Sequence, residues 1–151
     1  MRPIHATQRI EAPPERVWAV ATDLEHAAER VSGIDRIEVV TDGPFGVGTV
    51  WRETRTMMNH QSTEELTVTR CGPPTGYTVE GESCGCAFAS TLRFTPAGEG
   101  ATDVGFEMLW RAKTIFAKLA SPIAGLLVGG GMRKAVESDL SDLKRACESP
   151  A

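Results

Sequence analysis

From Ile34 to Lys113 apolar side chains recur at every second position, and beyond Lys113 the spacing changes to three and four. A period of two marks strands with one buried and one solvated face. Glycine and proline punctuate the run at Asp42-Gly43-Pro44-Phe45-Gly46-Val47-Gly48, at Cys71-Gly72-Pro73-Pro74 and at Ala97-Gly98-Glu99-Gly100. These breaks predict turns between strands around Ile37 and Val39, Thr49 to Met57, Ser62 to Arg70, Tyr77 and Val79, Phe88 to Phe94, and Val104 to Trp110. Ile4, Ala6 and Ile10 share one parity of an earlier strand. Pro13-Pro14-Glu15 then suits a helix start, since proline fits the first turn and an acid the positive end of the dipole. Val17, Val20, Ala21 and Leu24 follow at helical spacing, and a second short helical stretch over 25–31 ends at Ser32-Gly33.

The chain closes with Met132, Val136, Leu140, Leu143 and Cys147 at three- and four-residue intervals, a long amphipathic helix. Lys134, Asp139, Asp142 and Lys144 are expected on its solvent side. A sheet with one apolar face needs a cover, and this helix can supply it. The expectation is therefore an α+β domain spanning 1–151. Its antiparallel sheet of about seven strands, in the order β-α-α-β6-α, is strongly curved around the last helix.

Composition narrows the function classes. The net charge is −4, with 16 basic and 20 acidic residues, which disfavours a nucleic-acid binder. Met1-Arg2-Pro3-Ile4-His5 lacks the apolar stretch of a signal peptide, so a cytoplasmic protein with reduced thiols is expected. Cys84 and Cys86 have the wrong spacing for a CxxC site, and His5, His26 and His60 show no ligand spacing, so neither metal nor cofactor is expected. The apolar run over 115–132 is broken by Lys118 and Pro122, which argues against stable membrane insertion. Gly81-Glu82-Ser83-Cys84-Gly85 matches GxSxG, but no histidine follows it and the next segment reads as a strand, so a serine hydrolase is rejected.

Two local patterns carry a resemblance. Ile10-Glu11-Ala12-Pro13-Pro14-Glu15-Arg16-Val17-Trp18 is similar to an I-x-A-P-x-x-V-W opening, and Gly46-Val47-Gly48-Thr49-Val50-Trp51 is similar to a G-x-G-x-x-W turn into the third strand. With the element order, they resemble the helix-grip fold of the START-related (SRPBCC) superfamily, most of all its polyketide cyclase/dehydrase-like members. The resemblance implies a deep, mostly apolar cavity for a hydrophobic small molecule or lipid. Such proteins are mainly binders or carriers, and a minority catalyse cyclisation or dehydration. No invariant catalytic residue carries over.

The candidate lining follows from the inward parity of each strand. It comprises Trp51, Leu66, Val68, Tyr77, Val79, Phe88, Leu92, Phe106, Met108 and Trp110 from the sheet, with Val136 and Leu140 from the helix. Glu53 and Arg55 share the parity of Trp51, although Val50 on the other parity leaves the inward face of that strand open. Glu64 shares the parity of Leu66. A carboxylate turned into an apolar space needs a partner, so Arg55 is expected to pair with Glu53 or Glu64. That pair would orient a ligand's polar end or, in an enzyme, supply acid–base chemistry. A third possibility is a lipid carrier docking on membranes through 115–128 beside Arg111, Lys113 and Lys118. Monomer and homodimer are both compatible with the sequence.

Overall fold

Strand β1 (Ile4–Ile10) leads into helices α1 (Pro14–Ala21) and α2 (Ala27–Arg30), followed by β2 (Ile34–Val39), β3 (Val50–Met57), β4 (His60–Gly72), β5 (Gly76–Ser83), β6 (Cys86–Pro96), β7 (Thr102–Ala112) and the final helix α3 (Gly131–Glu148). These elements come from a computed structural model describing residues 3–57, 59–83, 85–113 and 130–150. The segment 115–128, singled out as a membrane contact, lies outside the described residues, as does Cys84.

One antiparallel sheet contains all seven strands in the order β1-β7-β6-β5-β4-β3-β2. Its edges are therefore β1 and β2, and α1 and α2 carry the chain from one edge to the other. The register shifts between Val68 and Arg70 on β4, and between Ile34 and Arg36 on β2, are irregularities of the kind that bend strands and increase twist. At 1.5 Å per residue, the 18-residue α3 is about 27 Å long, enough to cross the concave face.

Helix α1 begins as its sequence predicts: the N–H groups of Arg16 and Val17 donate to the Pro13 carbonyl. It buries Val17 and Val20 against β1 and α3 residues. The Arg16 guanidinium reaches the carbonyls of Ala146, Cys147 and Ser149, placing a cation at the negative end of α3. The apolar side chains form two groups. One joins Ile4, Ile10, Val17, Phe94, Val104, Val136, Leu140 and Cys147; the other joins Trp51, Leu66, Val68, Val79 and Phe88.

His60 opens β4 opposite Met57, and Cys86 opens β6 opposite Ser83. The structure corrects an expectation for the closing helix. Asp142 is 4% exposed and faces inward, not toward solvent. Its carboxylate accepts the Ser32 N–H at 2.9 Å and the Ser32 hydroxyl at 2.8 Å, fastening α3 to the turn before β2. Arg145 pairs with it at 3.0 Å.

Burial alone would raise the Asp142 carboxyl pKa, but the Ser32 donors and Arg145 outweigh it and hold it below its ordinary value. A depressed carboxyl pKa contributes stability above the unfolded value of about 4 and loses it as pH falls further. Asp142→Ala is therefore expected to cost about 1.5–3 kcal/mol at pH 7, with a smaller gap from the parent near pH 3. Urea midpoints at the two pH values check this, and equal gaps would contradict it.

Candidate functional site

The two apolar groups do not close on each other. Between them lies a cavity of about 240 Å³, just below the usual range of about 300–1,000 Å³ for small-molecule sites. Its walls are the concave face of the sheet, the inner side of α3, and the chain from Val20 to Ile37. Tyr77 bridges the two groups and anchors an aromatic cluster behind the cavity. Trp18 meets Tyr77 edge-on at 5.8 Å, and Phe45 from the glycine-rich turn stands 5.0 Å from the same ring. Phe88 and Trp110 meet at 4.9 Å with their rings tilted 42° to each other. The buried Trp110 Nε1 has no hydrogen-bond partner among the described residues.

Ionisable groups gather on the wall made by β3, β4 and α3. Odd-numbered residues of β3 turn inward, resolving the parity left open by Val50: Trp51 is 5% exposed, while Arg52 on the other face is exposed. Arg55 Nε donates to Glu53 at 2.7 Å, and its two terminal nitrogens donate to the Asp139 carboxylate at 3.1 and 2.8 Å. Arg55 is thus a bidentate clamp on α3 as well as a partner on its own strand. Trp51 Nε1 adds a longer bond to Glu53 at 3.4 Å. Glu64 stands directly opposite Glu53 in the β3–β4 register and accepts from the hydroxyls of Ser62 at 3.3 Å and Ser83 at 2.8 Å.

Desolvation raises the Asp139 carboxyl pKa above its ordinary value, Glu53 adds to the rise, and Arg55 opposes it. The Arg55 guanidinium moves further up, because its two carboxylates outweigh its burial. Burial and then Glu53 push the Tyr77 phenol up.

The family model described as polyketide cyclase/dehydrase and lipid transport matches residues 1–148. The chain belongs to that family. No curated protein matches it in sequence. Among solved structures, a Thermus thermophilus protein is 25% identical and superposes with a TM-score of 0.78, over 98% of this chain and 100% of the other. The Zhui aromatase/cyclase of a Streptomyces species is 16% identical with a TM-score of 0.79, over 97% and 93% of the two chains. Norcoclaurine synthase from Thalictrum flavum is 17% identical with a TM-score of 0.69, over 99% and 88%. The last two likenesses are of fold: a curved seven-stranded sheet under a C-terminal helix.

In this polyketide cyclase/dehydrase-family chain the structure puts Trp51, Glu53, Arg55, Glu64, Leu66, Tyr77, Val79, Phe88, Leu92, Phe106, Met108, Trp110, Val136 and Leu140 on the cavity wall. Val68 is the exception. It is 1% exposed and packed into the group of Trp51, Leu66, Val79 and Phe88 without reaching the cavity. Asp139, expected in solvent, instead lines the cavity as the second partner of Arg55. Sequence reasoning also left out the contributions of Leu24, Ile34, Ile37, Met57, Met132 and Ala135. Ala135, Asp139, Asp142 and Ala146 form a row at four-, three- and four-residue spacing beside the apolar stripe, and that row was the available signal. Among the described residues, no helix is long and apolar enough to cross a membrane.

Proposed function

We propose that this family member binds a hydrophobic or amphipathic small molecule in the cavity beneath α3, as a carrier or sequestering protein. One observation carries the reading: a mainly apolar cavity whose carboxylates, Glu53, Glu64 and Asp139, are gathered with Arg55 on one wall. An apolar wall supplies burial energy and a localised polar group fixes the ligand's orientation. The neutral fluorophore Nile red tests it. Its emission should brighten, shift to the blue and saturate at one probe per chain. Ala135→Phe, which puts a ring into the space from α3, should weaken that binding by at least about tenfold. Unchanged probe binding in a folded Ala135→Phe protein would contradict the cavity as the site.

A second reading, acid–base catalysis of the cyclase or dehydratase kind, is favoured by Asp139. A carboxyl whose pKa is raised by burial, and which is clamped by Arg55, can hold a proton closer to neutral pH than an ordinary aspartate. The distinguishing result is turnover of a polyketide-like substrate that disappears in Asp139→Asn.

A further inference from the structure

We infer that the cavity selects an amphipathic ligand bearing a protonated amine over one bearing a carboxylate, an inference that rests on the binding role proposed above. The reason lies in which charges on the wall are already matched. Arg55 is committed to Glu53 on one side and to Asp139 on the other. Arg30, the other lining cation, is held by Asp23 at 2.9 Å. Among the described residues no lysine or histidine lines the cavity, and two arginines stand against three carboxylates. An incoming carboxylate meets an excess of like charge and no uncommitted cation.

Glu64 supplies the positive half of the argument. Its only partners among the described residues are the hydroxyls of Ser62 and Ser83, and no cation pairs with it. Directly across the strand pair is Glu53. Residues opposed in this way have Cβ atoms about 4.5–5.5 Å apart, and like charges so placed destabilise the sheet. An ammonium group seated between them removes that repulsion and has three donors to share between the two carboxylates. Moving an ammonium out of water is costly unless it meets opposite charge and hydrogen-bond acceptors, and this wall offers both. The apolar remainder of the ligand then lies along Leu66, Val79 and Phe88.

The experiment is displacement of Nile red at pH 7 by three compounds sharing one apolar chain: octylamine, 1-octanol and octanoate. Octylamine should displace the probe at a concentration at least about tenfold below that required for octanoate, with octanol between them. In Glu64→Gln, checked for folding by its thermal transition, the amine-to-carboxylate ratio should shrink by at least about threefold. Octanoate equal to or better than octylamine overturns the inference, as does octanol matching octylamine, while both leave the binding role standing. A ratio unchanged in Glu64→Gln also overturns it. Failure of the parent protein to bind Nile red at all removes the binding role and the inference with it.

Discussion

Arg55→Met should destabilise the protein by about 3 kcal/mol, a loss large beside the total stability of an ordinary domain. The side chains of Arg55, Glu53 and Asp139 are 21%, 16% and 31% exposed, so removing the cation strands two half-buried carboxylates next to each other. Breaking a buried ion pair costs roughly 3–5 kcal/mol, and the partial exposure of Asp139 places this case at the lower end. The loss should be pH-dependent. Burial raises the Asp139 carboxyl pKa and Arg55 opposes that rise. Without Arg55 this carboxyl takes up a proton more readily in the fold than in the unfolded chain, and the variant regains stability as pH falls toward about 5. Adding Glu53→Gln and Asp139→Asn to Arg55→Met should recover at least half of the loss at pH 7. Denaturant midpoints of the single and triple variants decide the matter. A triple variant no more stable than Arg55→Met would mean that the arginine acts through packing of its stem and not through charge.

The backbone makes an equally sharp demand at Gly76, where β5 starts. A Cβ built there would lie 2.3 Å from the Leu92 carbonyl oxygen and 3.3 Å from the Arg93 Cα, both backbone atoms of β6. Neither neighbour is a side-chain end that could swing aside. Gly76 also has φ near +158°. Gly76→Ala must push β5 and β6 apart at a point where Leu92 lines the cavity, and a cost of about 3 kcal/mol is expected. Gly105 in β7 is the matched control, because a Cβ there meets nothing within 4 Å. Gly105→Ala should change stability by less than about 1 kcal/mol. Similar losses at the two positions would show that the close approach at Gly76 is not what constrains it.

Much of this architecture was legible because periodicity survives in a single sequence. The alternation from Ile34 to Lys113 required one apolar sheet face, and the spacing of Val136, Leu140, Leu143 and Cys147 required a helix to cover it. Parity also reached most of the cavity wall, since every second residue of an inward-facing strand points the same way. It failed at Val68, a side chain of the correct parity that its apolar neighbours bury completely, short of the cavity. It failed again on α3. Charged residues of an amphipathic helix are assigned to solvent by default, but Asp139 and Asp142 turn inward because Arg55 and Ser32 await them. Those partners lie 84 and 110 residues away, beyond any local pattern. The pairing of Arg55 with Glu53, two residues apart on one strand, was within reach for the same reason that its clamp on Asp139 was not.

If a small molecule binds in the space beneath α3, titration of the intact protein with 1-octanol should move its amide NMR signals saturably, with the largest shifts at Val79, Phe88, Leu92, Phe106, Val136 and Leu140, which surround the cavity from both sheet and helix. Shifts confined to the outer sheet face, at Arg52, Thr54, Thr63 and Glu65, or no saturable change at millimolar ligand, would contradict it.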